Sequence, residues 1–192
     1  WGKLAKFILK MGERLSYKYA NKVIVISNVI KNNLYNLYGK KDVSLIYNGV
    51  NVPNLSIKND YLKTINLEKN KYIFALGRFV EEKGFHDLIN AYKKIDNKDI
   101  KLVIAGDADH ETNYSKKLKE LALNNKVILT GFIKGEKLNQ LFSHARLFVL
   151  PSYHEGLPIA LLEAMSYNAN VLVSNIPANL EVNLPKDNYF NI

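Results

Sequence analysis

The 192-residue sequence contains no cysteine, which excludes disulfides and thiolate metal sites and permits a reducing compartment without requiring one. It lacks any apolar run near the roughly 18 residues that a membrane-spanning helix needs, and no secretory-signal pattern opens it. Its four histidines, His86, His110, His144 and His154, lack the spacing of a zinc site, which takes three or four nitrogen or sulfur ligands. No Ser/His/Asp arrangement, internal repeat or low-complexity tract is visible. Positive charge is in excess, with 27 Lys and Arg against 18 Asp and Glu and a net charge of +9, which favours anionic partners such as nucleotides, anionic lipid or nucleic acid. The lysines are spread along the chain, however, and form no compact block interleaved with aromatics, so a nucleic-acid surface is not indicated. The composition, 47% hydrophobic and 23% charged, is that of an ordinary globular protein. The sequence begins at Trp1 rather than Met and ends at Phe190-Asn191-Ile192 without a clear terminal helix, and reads as an internal piece of a longer protein.

Spacing predicts a helix over residues 3–19. Leu4, Ile8, Met11, Leu15 and Tyr19 recur every three or four positions beside a stripe of Lys3, Lys6, Lys10, Arg14 and Lys18. Such a helix either packs its apolar stripe into a core or lies on an anionic membrane surface. Val23–Ile26 reads as a short strand, Ser27 as the cap of a helix that Gly39 ends near Tyr38, and Val43–Tyr47 as another strand. Asn48-Gly49 breaks the pattern, and the polar segment with Pro53 reads as a linker or hinge. From Tyr72 onward, strands at Tyr72–Leu76, Lys101–Ala105, Val127–Leu129, Leu147–Leu150 and Val171–Val173 alternate with helices near Gly84–Ile95, Thr112–Asn124, Glu136–His144 and Pro158–Ser166. Continuous apolar strands alternating with helices predict an α/β fold: a parallel sheet with helices on both faces. Right-handed crossovers then bring the strand C-termini to one edge. Three glycines and an arginine stand just past those ends, at Gly77-Arg78, Gly106-Asp107 and Gly131-Phe132, where open α/β sheets bind ligands.

The most informative stretch is Pro151–Met165, PSYHEGLPIALLEAM. Pro158 suits the first turn of a helix. From Ile159 to Met165 every residue except Glu163 is apolar, so the helix is expected to be buried on most sides. A carboxylate inside such a helix is costly without a polar partner; an Arg or Lys is one solution and a ligand hydroxyl another. Gly156 permits close backbone approach, and the first N–H groups of a helix are unpartnered, which together make an anion site. With Glu155 and Glu163, the segment suits a sugar linked to a phosphate. Upstream, Arg78 and Lys83 place two cations on one short loop, able to hold a diphosphate by a fork and a point charge; structural or surface roles are the alternatives for each.

The order G-R-x(4)-K-G at Gly77–Gly84, a strand ending in A-G-D, then T-G-F, then P-S-x(2)-E-G-x-P-x(4)-E-A resembles the group 1 glycosyltransferases, also called glycosyltransferase family 4. V-I-S at Val25–Ser27 and N-G-V at Asn48–Val50 resemble the end of that family's N-terminal domain and its interdomain hinge. The resemblance implies one half of a GT-B fold, a truncated Rossmann-like domain at 72–192 that is incomplete at its C-terminus. Residues 1–47 would be the remnant of the N-terminal, acceptor-side domain and 48–71 the hinge region. Carried over, Arg78 and Lys83 hold the donor's diphosphate with Gly77 at the same strand end. Glu155 with the N–H groups of Gly156 and Leu157 meets the transferred sugar and adjoining phosphate, and Glu163 accepts from the ribose hydroxyls. Backbone at Gly131, Phe132 and Ile133 touches the base. Arg78, Lys83 and Glu155 are thus the expected catalytic set, in a retaining transfer from a UDP- or GDP-sugar that needs no metal or other cofactor. A glycan or lipid-linked acceptor would come through the absent N-terminal domain. The setting implied is surface polysaccharide synthesis in the cytoplasm, with peripheral contact to the inner face of the membrane.

Departures from the family pattern are also visible. Tyr167-Asn168-Ala169-Asn170-Val171 stands where Gly and then Pro are usual, and Asn168 can substitute because Asn tolerates the left-handed conformation at a helix end. Lacking most of one domain, the fragment is expected to bind donor without turnover. Asp107-Ala108-Asp109 has a metal-binding D-x-D form but reads as a loop in a chain of metal-independent type. The rival expectations are a GT-B phosphorylase or epimerase, and a non-catalytic nucleotide-binding module.

Overall fold

The computed structural model describes residues 2–53, 55–96 and 99–192. The chain forms two compact units, one running to Asn48 and the other Gly49–Ile192.

In the first unit, helix α1 (Lys3–Tyr19), strand β1 (Val23–Val25), helix α2 (Asn28–Tyr38) and strand β2 (Val43–Leu45) follow in order, and the two strands pair in parallel with Val23 opposite Val43. Ser27 caps α2 by accepting from the Ile30 N–H at 3.2 Å, and Gly39 ends it at φ 85°. A small core forms on Tyr17, Val25 and Val43. Lys41 Nζ donates to the carbonyls of Tyr17 and Ala20 at 2.9 and 2.7 Å, a charge-assisted close of the α1 C-terminus. On α1 only Tyr17 is buried, whereas Leu4, Ile8, Met11, Leu15 and Tyr19 are all exposed.

The first helix of the second unit is α3 (Asp60–Thr64), which lies in the stretch expected to be the linker or hinge region. Burial of Leu62 and the side chain of Gln140, on helix α6 (Glu136–His144), hold it. Gln140 accepts from the Tyr61 N–H at 3.0 Å and donates to Asp60 at 2.8 Å. Ser56 N–H donates to Ser143 at 3.0 Å, so residues 56–61 are fastened to α6 by polar contacts of long sequence separation.

Strand β3 (Tyr72–Leu76), helix α4 (Phe85–Tyr92), strand β4 (Lys101–Ala105), helix α5 (Asn113–Asn124), strand β5 (Ile128–Leu129) and helix α6 (Glu136–His144) come next. Strand β6 (Leu147–Leu150), helix α7 (Ile159–Ser166), strand β7 (Val171–Ser174), helix α8 (Pro177–Leu180) and strand β8 (Tyr189–Phe190) complete the described strands and α-helices. The six strands form one parallel sheet in the order β5-β4-β3-β6-β7-β8. Alternation along β3 feeds two cores. Tyr72 and Phe74 join Leu62, Leu141, Phe142, Leu161 and Ala164 on the side of α3, α6 and α7, and Ile73 and Ala75 join Phe85, Leu88, Leu118 and Ala122 on the side of α4 and α5.

Helix α7 departs from expectation in two ways. Pro158 stands at its N-cap, and Ile159 and Met165 are exposed, so one face rather than most of the helix is buried, through Leu161 and Ala164. At its other end Asn168 has φ 54°, the left-handed conformation expected of it.

Candidate functional site

Strand order reverses between β3 and β6, which are neighbours although their connections leave on opposite sides. The crevice at such a reversal, outside the strand C-termini, is where open α/β sheets bind ligands. Two glycines make it. Gly84, at φ 64°, would place a Cβ 2.1 Å from the Pro151 carbonyl oxygen, and Gly106, at φ 123°, would place one 2.0 Å from that of Gly77. Only a residue without a side chain lets the loop after β3 close on the ends of β6 and β4. The Tyr153 N–H donates to Glu82 O at 2.8 Å and ties the two loops together.

Across the reversal Lys83 Nζ meets Glu155 Oε1 at 2.7 Å, with side chains 17% and 9% exposed. Ser152 Oγ donates to the same oxygen at 2.7 Å. Oε2 of Glu155 and the backbone N–H groups of Gly156 and Leu157 meet no partner among the described residues. Buried donors are almost always paired, and Leu157 is buried. Of the first α7 donors, Ile159 N–H is taken by Leu157 O at 2.9 Å, and those of Leu161 and Leu162 by Pro158 O at 3.0 and 3.1 Å. Pro158 has no N–H, so among the described residues the donors left open around the start of α7 include those of Gly156 and Leu157, ahead of the helix, and that of Ala160 in its first turn.

Arg78 lies further along the strand ends. With Gly77, Gly106, Asp107, Ala108, Asp109 and Phe132 it lines a cleft of about 490 Å³. Its guanidinium donates to Asp109 at 3.1 Å and stands 3.8 Å from Glu82, and it is more than half exposed. Asp107 instead pairs with Lys119 at 2.8 Å and accepts from the Ala108 N–H; the Lys119 hydrogen bond holds its carboxyl below the usual range. Each carboxylate of the D-x-D sequence is thus engaged with a cation. Gly131, at φ 67°, accepts from the Gly106 N–H at 2.9 Å and carries the exposed Phe132 over the cleft, while Ile133 packs against the core.

Glu163 lines another cleft, of about 420 Å³, with Gly49–Pro53, Asn139, Ser166 and Tyr167. Its carboxylate has no hydrogen bond or ion pair among the described residues, and burial pushes its pKa above the usual carboxylate range. The ordinary ion pair is therefore not the solution adopted. The structure joins Lys83 to Glu155 directly and gathers Gly77, Arg78 and Phe132 in one cleft, but leaves Glu163 in a cleft that shares no lining residue with theirs. Unforeseen from the sequence was the hydrogen bonding of Ser174 and Asn179, both fully buried, in which Ser174 donates to the Ser152 carbonyl. The available signal was a run of small polar residues at the ends of two apolar strands.

Residues 58–190 match the family described as glycosyl transferases group 1. The O-antigen chain mannosyltransferase RfbU of Salmonella typhimurium is 31% identical over 92% of this chain and 47% of its own. The capsular polysaccharide biosynthesis glycosyltransferase CapH of Staphylococcus aureus is 32% identical over 95% of this chain and 51% of its own. In fold, the Anabaena protein HepE, crystallised with UDP and glucose, superposes with a TM-score of 0.82 at 22% identity, over 95% of this chain and 52% of its own. This chain spans about half the length of each. Across 133 residues that include every strand of the six-stranded sheet, it belongs to the group 1 glycosyl transferases.

Proposed function

We propose that this chain is the donor-binding half of a retaining glycosyltransferase of family 4, which takes a nucleoside-diphosphate sugar and serves surface polysaccharide or glycoconjugate assembly. The observation that carries the reading is the set of open groups at the sheet reversal: Glu155 Oε2 and the N–H groups of Gly156 and Leu157, beside the ammonium of Lys83, which keeps two of its donors. Lys83 uses one of its three donors on Glu155 and Arg78 one of its five on Asp109, so both keep donors for phosphate oxygens. Glu155 then receives the sugar hydroxyls, Glu163 the ribose, and the Gly131–Ile133 backbone the base. The bond from the anomeric carbon to the diphosphate breaks with its electrons on the phosphate oxygen. The acceptor hydroxyl attacks the same face and gives its proton to that oxygen. Lys83, Arg78 and the two N–H groups stabilise the charge on the departing diphosphate, which is electrostatic catalysis by fixed groups, and the scheme requires no metal.

The names of RfbU and CapH motivate the polysaccharide setting, at the cytoplasmic face of a membrane. The exposed apolar stripe of α1 and its lysines are the feature that would touch such a surface. No helix among the described residues is long and apolar enough to cross one. The acceptor is assigned to a further domain.

Calorimetric titration with UDP, GDP and ADP tests the donor site. One diphosphate should bind in preference to the others, Arg78→Ala should weaken it by roughly 10- to 150-fold as a lost charge-assisted bond of about 1.5–3 kcal/mol, and Glu163→Ala should weaken it too. Equal, salt-sensitive binding of all three that ignores both changes would leave only nonspecific attraction to a basic protein.

A further inference from the structure

A chain of buried polar groups runs from the end of β7, under the end of β6, to Glu155. The Asn179 side-chain amide donates to Ser174 O at 2.9 Å and to Ser174 Oγ at 3.0 Å. Ser174 Oγ donates to Ser152 O at 2.5 Å, and Ser152 Oγ donates to Glu155 Oε1 at 2.7 Å. Asn179, Ser174 and Ser152 are each wholly inaccessible. Direction follows from valence. A hydroxyl has one proton, so with the Asn179 amide donating to it, Ser174 spends its own on the Ser152 carbonyl. That bond fixes the Ser152 backbone, and the Ser152 hydroxyl proton goes to the carboxylate.

This arrangement is costly. Burying polar groups between packed strands stabilises less than apolar contact would. It also leaves Asn179 Oδ1 without a partner among the described residues. What it achieves is at Glu155. Ser152 and Lys83 both address Oε1, so one oxygen of the carboxylate is anchored from two sides and Oε2 is left for a ligand.

We propose that Ser152, Ser174 and Asn179 are positioning residues that orient Glu155 for the hydroxyls of the transferred sugar, and so set affinity for the sugar end of the donor rather than for its nucleotide. This rests on the donor reading given above. Asn179 belongs to the four-residue helix α8, which thereby acts on a carboxylate 24 positions earlier in the sequence. The carbonyl of Asn179 accepts from Tyr189 Oη at 3.2 Å, so strand β8 supports the far end of the relay.

Two measurements on the 192-residue chain decide this. The first needs no ligand: the side-chain carboxyl carbon resonance of Glu155, followed by NMR. Ser174→Ala should move it in the same direction as Ser152→Ala, while the same resonance of the exposed Glu82 stays in place. An unmoved Glu155 signal in Ser174→Ala overturns the relay. The second compares UDP with UDP-glucose, GDP with GDP-mannose and ADP with ADP-glucose by calorimetry. Ser152→Ala should weaken the sugar nucleotide that binds by about tenfold, the size of one hydrogen bond to a charged group, and change the matching free diphosphate by less than twofold. In a Glu155→Gln background the same substitution should cost less than twofold further. Equal loss for diphosphate and sugar nucleotide, or a full tenfold loss in the Glu155→Gln background, overturns the positioning role even where Arg78→Ala and Glu163→Ala behave as the donor reading requires. If wild type binds none of the six probes, the donor reading fails and the sugar-orienting role with it.

Discussion

Replacing Lys83 by Met tests whether the ion pair at the sheet reversal is as enclosed as its geometry implies. The Lys83 and Glu155 side chains are 17% and 9% exposed and 2.7 Å apart. Removing one partner of a buried pair costs about 3–5 kcal/mol, because the other charge is left out of water without compensation. Methionine keeps the aliphatic stem near Gly77, so little of the loss is packing. Ser152 still donates to Glu155, a hydrogen bond to a charged group worth about 1.5–3 kcal/mol, which places the expected loss near the low end, about 3 kcal/mol. In urea, with m in the usual range of about 1–3 kcal/mol/M, the midpoint should fall by about 1 M or more. Unfolding followed by far-ultraviolet circular dichroism is a sufficient assay. Combining Lys83→Met with Glu155→Gln removes both charges and keeps an acceptor for Ser152, so most of the loss should be recovered. Arg78→Met breaks the half-exposed contact with Asp109 and should cost under about 1 kcal/mol. A loss below about 1 kcal/mol for Lys83→Met, or a double variant no better than the single, would show the pair to be solvated and refute the reasoning.

Three further outcomes are expected. Burial raises the Glu163 pKa without a compensating partner. Its contribution to stability is therefore full below the unfolded carboxylate pKa and lost as pH rises through the higher folded value; Glu163→Gln should flatten that part of a stability–pH curve, and an unchanged curve would contradict the assignment. Gly84→Ala should destabilise by about 2 kcal/mol or more, since its Cβ meets a backbone carbonyl, whereas Gly131→Ala, at a similar φ with open space around it, should cost only the roughly 1–2 kcal/mol of a left-handed residue; equal chemical-denaturation losses would refute the close approach. Tyr153 donates to Asp87, which with burial pushes its pKa up to about 12, and burial carries Tyr114 to about 12 as well. Both groups favour the folded state below pH 10 and cease to as pH rises toward 12. Ultraviolet titration should show tyrosines ionising late, and Tyr153→Phe should remove one of them.

The strands that carry a full alternating or continuous apolar pattern were legible. Tyr72–Leu76, Lys101–Ala105 and Leu147–Leu150 form with the expected ends, because burial on both faces demands apolar residues throughout. Local chemistry was also legible at Ser27, which caps α2 as expected, and the helix expected near Thr112–Asn124 starts where the Thr112 side chain accepts from the Ser115 N–H at 3.1 Å. What escaped depends on partners distant in sequence. Strand β8 has two residues and exists because Tyr189 and Phe190 pair with Val173 and Ser174. Helix α3 is held by Gln140, about 80 positions away. In the site, the types of Lys83 and Glu155 were informative but their contact was not, since each is read against a loop from another strand. The pairing of Arg78 with Asp109 was likewise invisible, although both were singled out separately. Ser152–Ser174 is a product of strand register, which no local pattern encodes.

The two outermost strands, β5 and β8, are two residues each. A parallel sheet whose rims were long would present a row of unpaired backbone groups for another chain to join. Here the hydrogen-bonding rim is spent almost as soon as it begins, while the long strands β3 and β4 and the central β6 lie between neighbours on both sides. Extension of the sheet into a neighbouring molecule would gain few hydrogen bonds at either end. Association of this unit with anything else is therefore left to its loops and helices, the same parts that hold the candidate site.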